Sequence, residues 1–70
     1  MATVRSEIAG TVWKIEVAPG QSVAEGDVLI ILESMKMEIP VEAPRAGVVE
    51  ALQVSEGQAV KEDQPLLTLA

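Results

Sequence analysis

Apolar and polar residues alternate with period two along most of the chain. Trp13, Ile15 and Val17 fall on one side of such a strand, and Val12, Lys14 and Glu16 on the other. Leu52 and Val54 oppose Ala51 and Gln53 in the same way, and Met35, Met37, Ile39, Val41 and Ala43 alternate with Lys36, Glu38, Pro40 and Glu42. Successive side chains of a strand point to opposite faces, so this pattern predicts half-buried β-structure. The run from Val28 to Leu32 is apolar throughout, as a strand buried on both faces would be. Pro19-Gly20, Glu25-Gly26-Asp27, Pro44-Arg45 and Glu56-Gly57 interrupt the chain at intervals that suit strands and not helices. The reading is about eight short strands and no helix. They are placed near 2–5, 12–17, 22–24, 28–33, 36–42, 48–54, 59–61 and 66–69. The economical architecture is all-β: two small antiparallel sheets face to face, a flattened barrel or sandwich.

The chain also aligns with itself at an offset of 37 positions. Residues 9–33 match residues 46–70 at 10 of 25 pairs, among them Ala9-Gly10 with Ala46-Gly47, Gly20-Gln21 with Gly57-Gln58, and Leu29 with Leu66. Two similar halves imply a pseudo-two-fold fold in which each contributes equivalent strands to one core. The segment 34–45 joins the halves, and only one half carries the Met-Lys-Met feature.

Seventy residues support a single domain, expected over 1–70. Met1 at the start and the compact end at Ala70 favour a free-standing protein over an excised domain. There is no cysteine or histidine, so neither disulfides nor a Cys/His metal centre can support the thin core. Trp13 is the only aromatic residue; the core must be close-packed Val, Leu, Ile and Ala. The net charge of −6 opposes nucleic-acid binding and anionic membranes. No apolar run reaches membrane-spanning length, no signal-like segment is present, and the cytoplasm is the expected location.

Lys36 falls at the tip of the hairpin joining 28–33 to 36–42, within Glu33-Ser34-Met35-Lys36-Met37-Glu38. Tight hairpins favour Asn-Gly or Asp-Gly because their central residues need φ > 0. Here Ser34, Met35 and Lys36 occupy the turn, so either it is wider than two residues or it holds non-glycine residues in a costly conformation. A lysine at a tip is ordinarily a solvated charge, and methionines are ordinarily core filler. Two large apolar side chains beside an exposed tip need another reason, and contact with a partner supplies one. Trp13 poses a smaller puzzle. The repeat pairs it with Glu50, which argues against deep burial, while its strand face argues for it. A partly exposed ring covering the edge of the core reconciles the two.

Glu33-Ser34-Met35-Lys36-Met37 resembles the attachment motif of biotinyl/lipoyl domains, with Ser34 where alanine is also common. The likeness extends to Gly10-Thr11-Val12, Pro19-Gly20-Gln21-Ser22-Val23, Gly26-Asp27 and Pro44-Arg45-Ala46-Gly47, nearly the whole chain. It is strongest to free-standing single-domain biotin carboxyl carriers, without the inserted "thumb" of some acetyl-CoA carboxylase carriers.

The resemblance implies that a biotin protein ligase joins biotin to Lys36 through an activated acyl-adenylate. It implies that the carrier then moves carboxybiotin from a biotin carboxylase to a carboxyltransferase, its acceptor an acyl-CoA. The chain has no histidine to take the lysine's proton, so the ligase must supply the base. Met35 and Met37 flank the attachment point, and Glu33 and Glu38 are assigned to ligase recognition, their acids steering encounter with a basic active site. The carrier is expected to be non-catalytic and monomeric when isolated. Two other readings stay open: a lipoyl carrier, although such domains usually place Asp before the lysine, and a docking domain whose lysine is never modified. An enzyme is disfavoured by the lack of a catalytic triad, a cysteine nucleophile, a phosphate loop or a metal cluster.

Overall fold

A computed structural model describes residues 2–70 and leaves Met1 outside the described residues. The strands are β1 (Ala2–Arg5), β2 (Gly10–Ile15), β3 (Ser22–Val23), β4 (Val28–Ser34), β5 (Met37–Glu42), β6 (Gly47–Leu52), β7 (Ala59–Val60) and β8 (Pro65–Leu69). They form two antiparallel four-stranded sheets, ordered β1-β8-β6-β3 and β5-β4-β2-β7. The sheets face each other as a sandwich and do not close into a barrel. A groove of about 500 Å³ is lined by residues of the edge strands β1 and β5, among them Val4, Ile39 and Val41, and by Leu32. Among the described residues there is no helix long and apolar enough to cross a membrane.

The core holds Val12, Leu29, Ile30, Leu32, Leu66, Leu67 and Leu69 at full burial, with Val4, Val17, Val23, Ala43, Val49, Val54 and Val60 around them. Burying one such aliphatic side chain is worth roughly 1.5–3 kcal/mol. The core can therefore hold without an aromatic centre.

All eight expected strands form, but two of them sit about two residues earlier than the alternation suggests. Their starts are set by the pairing of Gly10 with Val60 and of Gly47 with Val23, and within them β-bulges each insert one unpaired residue that resets which face the chain presents. In β2, Val12 pairs with Leu32 and Lys14 with Ile31, which leaves Trp13 as the extra residue. Trp13 and Lys14 then both face outward, and Val12, expected opposite Ile15 and Val17, is fully buried and shares the core with Val17. Strict period two across positions 12–17 was therefore the wrong phase. Trp13 itself is 49% exposed, the partial exposure anticipated for it.

Bulges also fall at Glu50 in β6, Leu29 in β4 and Leu66 in β8. Trp13 with Glu50 and Leu29 with Leu66 are both 37 positions apart. The same offset carries one sheet order onto the other, with β5, β4, β2 and β7 falling on β1, β8, β6 and β3. The loop hydrogen bonds repeat with it. Gly20 N–H donates to the Val49 carbonyl and Gly57 N–H to that of Val12, each at 2.7 Å. The Gln21 side chain accepts from Ala18 N–H as the Gln58 side chain does from Ser55 N–H.

Candidate functional site

The β4–β5 hairpin ends in a two-residue loop. Ser34 pairs with Met37, so Met35 and Lys36 alone make the turn, with φ of 53° and 64°. Positive φ at both central residues is what a two-residue hairpin needs to match the twist of its strands. The costly alternative among the two expected turn geometries is thus the one adopted. Each non-glycine residue in this region costs roughly 1–2 kcal/mol. Glycine would remove that cost, and with it the side chains the tip presents.

Met35 is 91% exposed and Met37 62%, and Lys36 is exposed between them. The apolar face of β5 therefore runs off the end of the core. Ala43 is buried, Val41 and Ile39 are half-buried, and Met37 stands in solvent. Methionines acting as core filler would have turned inward. Among the described residues the only ion pair is Lys14–Glu16, at 3.5 Å. Lys36 has no carboxylate partner, and its amine is open to approach from outside.

Glu33 and Glu38 lie directly opposite each other, one pair below the loop-closing pair, and both are exposed. Like charges in register across a strand pair are mildly destabilising. Two acids, two thioethers and one amine thus share the end of a single hairpin. All five residues singled out in the sequence are brought together there.

The hairpin is held against its neighbour by a contact that the alternation of apolar and polar residues does not mark. Thr11 of β2 is in register with Glu33, and beside it Gly10 lies so close to β4 that an added Cβ would stand 2.7 Å from the Glu33 carbonyl oxygen. Only glycine fits this approach. The available signal was the Ala-Gly dipeptide repeated at 9–10 and 46–47, since Gly47 is similarly confined by the Ala70 carbonyl oxygen at 3.0 Å. The other two lysines are unlike Lys36. Lys14 is engaged with Glu16, and Lys61 follows β7 in a loop where its backbone N–H donates to Gln64 Oε1.

Comparison with known proteins supplies the family. The model of the Biotin_lipoyl family, described as "Biotin-requiring enzyme", matches residues 1–69. A biotin/lipoyl attachment protein of Bacillus subtilis is 44% identical over 97% of this chain and 93% of its own length. The biotin carboxyl carrier protein of acetyl-CoA carboxylase from Haemophilus influenzae is also 44% identical, over 94% of this chain and 47% of that protein. Among solved structures, the urea carboxylase of Kluyveromyces lactis superposes with a TM-score of 0.93 at 32% identity, over 99% of this chain and 6% of that one. A single-chain, multi-domain long-chain acyl-CoA carboxylase gives 0.90 at 35% identity, over 94% and 7%. This chain thus corresponds to one small domain of those carboxylases. It belongs to the biotin/lipoyl attachment family, a family of biotin-requiring proteins.

Proposed function

We propose that this chain is a biotin carboxyl carrier and that Lys36 is its attachment residue. The observation that carries the proposal is the Met35-Lys36 turn, which accepts an unfavourable backbone to hold a free amine between two exposed thioethers. An exposed, unpaired amine at the end of a rigid hairpin fits covalent attachment of a carboxylic acid through an amide. The Lys36 Nζ loses a proton to a base on the ligase, attacks the activated carboxyl carbon, and becomes the amide nitrogen as the adenylate leaves. One positive charge is lost, which takes the chain from −6 to −7.

When attached, biotin supplies a ring nitrogen that accepts a carboxyl group at one enzyme site and releases it at another. The chain's own contribution is mechanical and electrostatic. The sandwich is a rigid base, the hairpin holds the attachment point clear of it, and tethering raises the local concentration of the group at both partner sites. Met35 and Met37 give those partners an adaptable apolar contact. Glu33 and Glu38 direct the tip toward a basic ligase surface, which accounts for a like-charged pair kept in register. The partners are a biotin protein ligase, a biotin carboxylase and a carboxyltransferase acting on an acyl-CoA. The carrier works in the cytoplasm as a non-catalytic monomer.

Lipoylation is the second reading, since the Bacillus subtilis relative is named for both attachments. Co-expression with a biotin ligase and, separately, with a lipoate ligase, followed by intact-mass measurement, separates them. Full conversion to the biotin adduct, with little or no lipoyl adduct, is expected. Conversion by the lipoate ligase alone would replace the proposal with its rival, and no adduct in either strain would leave a docking domain.

A further inference from the structure

The two methionines at the tip carry chemistry that attachment does not use. The chain has no cysteine and no histidine, so thioethers are its softest nucleophiles. Both described methionines lie at one spot, on either side of Lys36, at 91% and 62% exposure. Neither can withdraw into the core. Met35 is fixed in the two-residue turn, and Met37 is held opposite Ser34 by the last pair of the ladder.

We propose that Met35 and Met37 form a reversible sulfoxidation site that disables the tip. A hydroperoxide transfers one oxygen atom to a sulfur lone pair. The O–O bond breaks, an S–O bond forms, and water (or an alcohol) leaves; the thioether is oxidised by two electrons and the peroxide is reduced by two. The product replaces an apolar, flexible side chain with a polar, chiral one. A sulfoxide oxygen buried under a partner without a hydrogen-bond donor is penalised, so the apolar contact at the tip is lost. Reversal removes the oxygen as water, with two electrons from an external dithiol that becomes a disulfide; having no cysteine, the chain cannot repair itself. Because the two sulfoxide epimers are reduced by different enzymes, full repair needs both. The loss of partner contact rests on the carrier reading above; the oxidation does not.

Trypsin places the three methionines in separate peptides, Met1–Arg5, Ile15–Lys36 and Met37–Arg45, so the site of oxygen addition can be read directly. The intact, unbiotinylated chain is treated with hydrogen peroxide, mapped, and then offered to biotin ligase. The expected map has one added oxygen on each of the two tip peptides while Trp13 remains unmodified. The expected labelling rate falls about tenfold and returns after treatment with both sulfoxide reductases and dithiothreitol. A Met35→Leu/Met37→Leu chain, whatever its own rate, should show the same rate before and after peroxide. Tip sulfurs that stay unoxidised while Trp13 reacts would overturn the proposal, as would an oxidised tip labelled at the unoxidised rate. An unoxidised chain that is never labelled overturns the carrier reading, and with it the loss of partner contact, while the oxygen map stands by itself.

Discussion

The two halves of this molecule have nearly the same skeleton and differ at one end. β4 and β5 meet in the Met35-Lys36 turn, while their counterparts β8 and β1 lie side by side, Leu69 opposite Ala2, with no turn between them. Elsewhere the halves match in sheet order, in bulge position and in the hydrogen bonds of their loops. What the halves share builds the core, and the segment only one half has carries the site. The strain is distributed in the same way. Among the described residues, three that are not glycine have positive φ, and Met35 and Lys36, two of them, are at the tip. The third, Asp63, stands where the other half has Gly26.

The strongest way to challenge this equivalence is at the paired bulges. Leu29 and Leu66 are both fully buried, so Leu29→Ala and Leu66→Ala should each cost about 2–5 kcal/mol, by similar amounts. Chemical denaturation measures both. A change that melts the domain in one half and is tolerated in the other would show that only one half carries the core.

A smaller effect separates Gly26 from Asp63. Nothing lies within 4 Å of a Cβ built on Gly26, so Gly26→Ala meets only the backbone penalty of its φ of 88° and should lose about 1 kcal/mol. Asp63→Gly relieves the same penalty but adds freedom to the unfolded chain, and should change stability by less than about 1 kcal/mol. The backbone bond from Asp63 N–H to the Ser6 carbonyl oxygen, like that from Gly26 N–H to Ala43, should persist in both variants. Loss of more than about 1 kcal/mol on Asp63→Gly would mean that its side chain has a role its counterpart lacks.

The smallest effect on folding is expected at the tip, where the effect on labelling is selective. Glu33→Lys removes the like-charge pair with Glu38, so stability should stay within about 0.5 kcal/mol of the parent. Biotinylation should slow at low salt and recover part of the difference as salt screens the field. A rate unchanged at low salt would reduce Glu33 to ordinary surface charge.

Much of this was legible in the alternation and the repeat. Strand number and the inward direction of Ile39, Val41 and Ala43 follow from period two, because β5 runs without a bulge of its own. Val12 was misplaced because a bulge is a matter of pairing between strands, and the inserted Trp13 looks like any other alternating residue in one-dimensional sequence. The width of the attachment turn was hidden for a related reason. The usual glycine marker of a two-residue loop is absent, and the ladder closing at Ser34 and Met37 imposes the geometry instead. The close approach of Gly10 to Glu33 depends on strands that are distant in sequence.

If Lys36 alone carries the cofactor, peptide mapping of the biotinylated chain will show it. Trypsin does not cut after an acylated lysine, so attachment at Lys36 should fuse two peptides into Ile15–Arg45 and place the whole mass increase there. Cleavage after Lys14 and Lys61 should proceed as in the unmodified chain. Label on Lys14 or Lys61, with Lys36 still cut, would mean that Lys36 is not the attachment residue.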